Sequence, residues 1–194
     1  MTFDVRPATR ADGAAIARVQ VASWRSGYAH IFAAEALAAP EFESTRREYW
    51  AAWRLGPGER VLVGVDTSDD HDHDHDHDHD HDHDAEQIVA FCSFGLERER
   101  GNPPRGRGEI YAFYAHPGAW GSGVAHDLMT AVDSRLRSDG FGEAVLWVLD
   151  DNPRARRFYE QHGWSPTGIV DRFSAYGSTV REVEYLKEFA HVPR

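Results

Sequence analysis

The chain has 194 residues, enough for one domain with a substantial core. Its single cysteine, Cys92, excludes an internal disulfide and reads as a small core residue, and no apolar run approaches the roughly 20 residues needed to span a bilayer. The net charge of −11 belongs to one tract: residues 69–84 hold nine of the 32 acidic residues, the remaining 23 nearly balance 21 basic ones, and no basic surface for nucleic acid is indicated. The opening Met1-Thr2-Phe3-Asp4 has no basic apolar leader, so a cytoplasmic address is expected.

Phe3 and Val5 alternate as a short first strand that Pro7 ends. Thr9 or Asp12 can cap the helix that follows, in which Ile16, Val19, Gln20, Ser23 and Trp24 recur at helical spacing and which Gly27 breaks. Residues 28–40 form a connecting segment with Ile31, Phe32 and Leu37. A second helix is expected over 41–55, with Phe42, Tyr49, Trp50 and Trp53 on one side, stopped by Gly56-Pro57-Gly58. Val61, Val63 and Val65 mark a second strand over 60–66, and residues 88–96 a third. The charged, Gly- and Pro-containing stretch 97–107 reads as a loop or hairpin tip.

Residues 110–115 are apolar on both faces, as in a strand covered from two sides, and Pro117 stops them. Gly121 and Gly123 bracket Ser122. Then Val124, Leu128, Val132 and Leu136 fall four apart and give a helix one apolar stripe. A fifth strand over 144–149 leads to a helix opened by Asn152 and Pro153. Two terminal strands, 164–173 and 179–189, join through 175–178. The order is β-α-α-β-β-β-α-β-α-β-β: an α/β fold with a mixed sheet and helices on both faces, as one domain over 1–190 with a low-complexity insert at 67–86 between strands two and three.

A helix start with bare backbone N–H groups and no side chains in the way suits phosphate. The glycine turn is not a Walker A loop, because no Lys-Ser/Thr follows, and it lacks the third glycine of the dinucleotide fingerprint. Its companion is the run Asn152, Phe158, Tyr159, Glu160, Gly163, Trp164 after the fifth strand. Together they resemble the GNAT superfamily of acyl-CoA N-acyltransferases, whose phosphate loop reads Arg/Gln-x-x-Gly-x-Gly/Ala and whose next helix carries Asn, then Phe/Leu-Tyr-Glu, then Gly-Phe/Trp. The element order is also that of the GNAT fold. Trp120 stands where the pattern has Arg or Gln, while Ala125 fits it.

The resemblance implies an N-acetyltransferase that moves acetyl from acetyl-CoA to a primary amine in a ternary complex, with no metal required. It implies that backbone groups of Phe113, Tyr114 and Ala115 pair with the pantetheine arm, and that Gly121, Ser122, Gly123, Val124, Ala125 and His126 hold the pyrophosphate, with Asn152 also on the cofactor side. Tyr159, two helical turns after Asn152, is the expected general acid toward the thiolate. Glu109, at the start of the buried strand, is the expected base, with His30 as second choice; His116 and His126 read as surface histidines. Trp24, Tyr28, Phe32 and Tyr176 are candidate walls of the acceptor pocket, their aromatic character pointing to a small-molecule amine. No nucleic acid or membrane partner is expected, and the chain is read as a monomer or homodimer. Two other classes stay open: an acyl-CoA-binding regulatory domain without turnover, and a metal-binding protein.

The metal reading comes from the tract 70–84, where His71, His73, His75, His77, His79, His81 and His83 alternate with aspartate. Such a segment cannot bury apolar surface, and imidazole with carboxylate invites weak Zn²⁺ or Ni²⁺ binding. A tolerated repeat expansion in a hairpin loop explains it equally.

Overall fold

The computed structural model describes residues 2–53, 56, 58–68, 87–98 and 106–189. The chain starts with β1 (Phe3–Pro7), turns through a short 3-10 segment, and enters α1 (Gly13–Gly27). Thr9 and Asp12 form a capping box at that turn: the Asp12 carboxylate accepts from the Thr9 amide at 2.6 Å and from the Arg6 guanidinium at 2.9 and 3.1 Å.

The connecting segment holds a one-turn helix, α2 (Ala34–Ala38), that the sequence pattern does not announce, and the next helix, α3 (Pro40–Ala51), is shorter than the expected 41–55. Proline explains the break. It forces the preceding Ala39 into extended geometry (ψ 137°), which separates α2 from α3, and Pro40 itself takes the first helical position.

Strands β2 (Arg60–Asp66), β3 (Gln87–Leu96) and β4 (Gly108–Ala115) follow, then α4 (Val124–Ser138), β5 (Glu143–Leu149), α5 (Pro153–Gln161), β6 (Ser165–Ala175) and β7 (Ser178–Glu188). Tyr176 (φ 51°) and Gly177 (φ 77°) both take positive φ and close β6–β7 as a two-residue hairpin. The seven strands make one mixed sheet in the order β1-β2-β3-β4-β5-β7-β6, antiparallel except at β4–β5. This is the α/β architecture the element order predicts.

Two layers of helix cover the sheet. On one face α1 and α3 set Ile16, Val19 and Trp50 against Val61, Val63, Val65 and Phe91. On the other, the predicted stripe Val124, Leu128, Val132 and Leu136 is fully buried with Met129 against Cys92, Phe94, Ile110 and Leu146. Each aliphatic side chain so buried contributes about 1.5–3 kcal/mol. α4 docks closely because β2 offers Gly64 beneath it: a Cβ there would lie 2.6 Å from a Val124 methyl.

The feature that positions the site is the β4–β5 pair. It is registered only at Gly108↔Ala144, Glu109↔Val145 and Ile110↔Leu146, and beyond these the strands part. The histidine–aspartate tract, with His71, His73, His75, His77, His79, His81 and His83, lies outside the described residues, as do residues 99–105. Its flanking strand ends, Asp66 and Gln87, pair with each other. Among the described residues no helix is long and apolar enough to cross a membrane.

Candidate active site

A cavity of about 620 Å³ opens where β4 and β5 part. The strand ladder decides which backbone groups face it. His116 donates its amide to the Val89 carbonyl at 2.7 Å, so by two-residue alternation Tyr114 turns its backbone groups to Phe91 on β3, while Phe113 and Ala115 turn theirs to the open side. The Ala115 carbonyl already accepts from Ser23 Oγ at 2.8 Å and Trp120 Nε1 at 2.9 Å. The expectation that all three residues present their backbone is therefore corrected for Tyr114. It contributes its phenol instead, which accepts from Trp24 Nε1 at 2.9 Å and is hydrogen-bonded to Tyr28.

The glycine turn sits at one end. Gly121 (φ 82°) and Gly123 (φ 103°) hold left-handed conformations that admit glycine with least strain, and Gly123 caps α4. Ser122 donates its amide to Ala119 and His126 its amide to Gly123. Val124 reaches only the Ser122 hydroxyl, at 3.5 Å. Among the described residues this leaves the amides of Gly121, Gly123, Val124 and Ala125 for an anion at the helix start. His126 faces elsewhere: its Nδ1 lies 2.9 Å from Nε2 of His162, whose Nδ1–H donates to the Phe158 carbonyl at 2.8 Å.

Tyr159 lines the same cavity from α5, which Asn152 caps by accepting from the Ala155 amide at 3.1 Å. Tyr159 is 7% exposed, and its hydroxyl makes no hydrogen bond to any described residue. Burial holds its pKa far above the ordinary phenol value, so the proton stays on. Tyr28 joins Tyr114 to the Asn152 side chain and is also raised, chiefly by burial.

The other expected residues divide. Trp24 and Tyr28 line the cavity. Phe32 does not: it stacks on Trp24 at 5.5 Å within the core. Tyr176 does not either; it is 41% exposed on the hairpin turn, 5.3 Å from Phe42. Glu109, the expected base, is 2% exposed, accepts the Arg98 amide at 2.7 Å, and stands outside the cavity wall, because it precedes the point where β4 leaves β5. His30 is on the wall; its Nε2 lies 2.8 Å from the Asp151 carbonyl, so Nε2 carries the proton and the neutral ring keeps its lone pair on Nδ1.

Residues 26–164 match the acetyltransferase (GNAT) family. The chain belongs to that family.

The GNAT chain is 27% identical over 180 residues to the uncharacterised N-acetyltransferase YuaI of Bacillus subtilis, covering 92% of this chain and 89% of that one. It is 36% identical over 67 residues to mycothiol acetyltransferase of Beutenbergia cavernae, a match spanning 34% of this chain and 23% of that relative's length. Among solved structures, yncA from Salmonella typhimurium, determined with its cofactor acetyl-CoA, shares the fold with a TM-score of 0.67 at 19% identity, covering 100% of this chain and 98% of that one.

Within this GNAT site the departure at Trp120 has a structural counterpart. The Trp120 ring, pinned by its bond to Ala115, carries the Arg154 guanidinium 3.5 Å from its centroid. α5 thus delivers a cation beside the glycine turn, where the family's loop has its own Arg or Gln. Arg154 was invisible as a site residue because it lies 34 positions from Trp120 in sequence. Glu182 on β7 was missed too, although it lines the cavity. The alternation in β7 assigns Glu182 and Glu184 to one face, and only the structure separates them: Glu184 is buried against Arg107 at 3.2 Å.

Proposed function

We propose that the protein is an acetyl-CoA-dependent N-acetyltransferase acting on a primary amine of a small molecule. The observation that carries this reading is the meeting of three elements in one cavity: the open edge of β4, the glycine turn with Arg154, and the protonated Tyr159 hydroxyl. The pyrophosphate is held by the amides of Gly121, Gly123, Val124 and Ala125 and by Arg154. The pantetheine arm extends along β4 as an added strand against Phe113 and Ala115. The acceptor amine attacks the thioester carbon, the C–S bond breaks, and the departing thiolate takes the Tyr159 proton. The amine's own proton passes to a group on the wall, which both His30 and Glu182 line. Glu109 stands outside the cavity wall and is not assigned the role.

Replacing Tyr159 with Phe tests the assignment. We expect kcat to fall by about 10²–10⁴, with the acetyl-CoA KM within about threefold of wild type. A loss of kcat smaller than about threefold removes Tyr159 from the reaction. Binding of acetyl-CoA without CoA release in a screen of primary amines points instead to an acyl-CoA-responsive binding domain.

A further inference from the structure

Phenols reach the cavity from both faces of the sheet. Tyr159 belongs to the core on the α4 side, whereas Tyr114 packs against the two cores on the α1 side. The proposed function uses Tyr159 and leaves the Tyr114 phenol without a task. Yet Tyr114 lies on β4 between Phe113 and Ala115, whose backbone faces the pantetheine arm in that reading, and it lines the same cavity.

The hydrogen bonds around Tyr114 have a direction. Trp24 Nε1–H can only donate, and it does so to the Tyr114 oxygen at 2.9 Å. Asn152 spends its side-chain carbonyl on the Ala155 amide at 3.1 Å, so its NH₂ is what it offers to Tyr28. Tyr28 in turn gives its hydroxyl hydrogen to Tyr114. Burial raises the pKa of both phenols, and the bond between them raises Tyr28 further while lowering Tyr114, as holds for a donor and its acceptor. The two lone pairs of the Tyr114 oxygen are thus taken by Trp24 and Tyr28. Its own hydrogen ends the chain, and it goes to no acceptor among the described residues. A phenol in that state can donate but cannot accept. It repels the N–H groups of an ammonium and suits an oxygen that gains negative charge.

We infer that Tyr114 is a second catalytic residue: its hydroxyl donates a hydrogen bond to the carbonyl oxygen of the bound acetyl group, while Tyr159 serves the sulfur. The inference rests on the acetyl-transfer reading above. As the amine nitrogen bonds to the carbonyl carbon, the C=O π pair moves onto oxygen, and Tyr114 stabilises that oxyanion without giving up its proton. When the pair returns, the C–S bond breaks and the thiolate takes the Tyr159 proton. One phenol lends its hydrogen and the other loses it.

The full chain is assayed with the primary amine that the wild type acetylates fastest in a screen. The carbonyl stretch of bound acetyl-CoA, isotope-labelled at the acetyl carbonyl carbon, is read by infrared difference spectroscopy. Tyr114→Phe keeps the ring and removes the hydroxyl. We expect kcat to fall by about 10²–10³, the scale of one oxyanion donor, with the acetyl-CoA KM within about threefold of wild type. The stretch is expected at higher frequency than in wild type, because losing a hydrogen bond stiffens the carbonyl, and Tyr159→Phe is expected to leave it in place. Tyr28→Phe keeps the Tyr114 hydroxyl and is expected to lower kcat by about tenfold or less. Three results overturn the inference while transfer itself stands: a stretch unmoved by Tyr114→Phe, a loss of kcat there below about threefold, or an equal loss in Tyr28→Phe. If the wild type binds acetyl-CoA but acetylates no amine, the transfer reading fails and the stretch alone decides. A shift in Tyr114→Phe then supports the bond to the carbonyl, and no shift overturns it. A wild type that binds no acetyl-CoA overturns both.

Discussion

Trp120 shows how one residue changes partners without vacating its job. Its one donor, the indole N–H, is given to the Ala115 carbonyl, and its ring holds Arg154 over its face. If the two act as a unit, Trp120→Leu and Arg154→Ala each raise the acetyl-CoA KM by about three- to thirtyfold, the range of a partly desolvated cation–π contact, with kcat little changed. The double variant is expected to lose no more than the worse single one, since each removes the same interaction. Steady-state kinetics with varied acetyl-CoA checks this, and independent, multiplying effects exclude the pairing. The residue types at 120 and 154 are legible in the sequence. Their contact is not, because it depends on α5 returning beside the turn.

At the scale of elements, the periodic patterns are the part best read from sequence. Val124, Leu128, Val132 and Leu136 announce both the helix and its buried face, because four-residue spacing leaves one solution. Phe32 shows the limit. It sits among aromatics at plausible pocket spacing, but it is buried against Trp24, which lines the cavity while Phe32 does not, a matter of tertiary depth rather than pattern. Caps are short-range and were legible: Asp12 at the entrance of α1 is one. Its pKa is lowered, first by the hydrogen bond from Arg6 and then by those from Thr9, against an opposing effect of burial. A carboxylate with a depressed folded-state pKa stabilises the fold above its unfolded value near 3.9 and loses that contribution as pH falls through the folded value. Asp12→Asn is therefore expected to cost about 1 kcal/mol at pH 7, and the gap from wild type to close below about pH 4, in denaturant titrations across that range.

For the whole molecule, composition was misleading until one tract was set aside. With residues 69–84 removed the chain is almost charge-balanced, and the described fold contains both strands that flank them. Asp66 and Gln87, the strand ends on either side of the tract, pair directly. Replacing 69–84 with a short turn is expected to leave the midpoint of thermal unfolding unchanged within about 3 °C or to raise it, because shortening a connection lowers its closure entropy cost only logarithmically. A fall of about 10 °C would give the tract a structural role. The mixed sheet was legible from the order of elements, but the insertion of β7 between β5 and β6 was not. The extent of pairing was not: nothing in residues 110–115 or 144–149 says that the two strands keep company for three residues and then separate.

That separation divides the one sheet into two panels. β1 through β4 form one panel and β5, β7 and β6 another, joined edge to edge at Gly108–Ile110 alone. Under the proposed function, acetyl-CoA in the gap would supply the missing ladder and button the panels together, at once reactant and building material. On that reading its departure after transfer would return the molecule to a pair of leaves on a narrow spine, and the release of the spent cofactor would count in the turnover beside the chemistry.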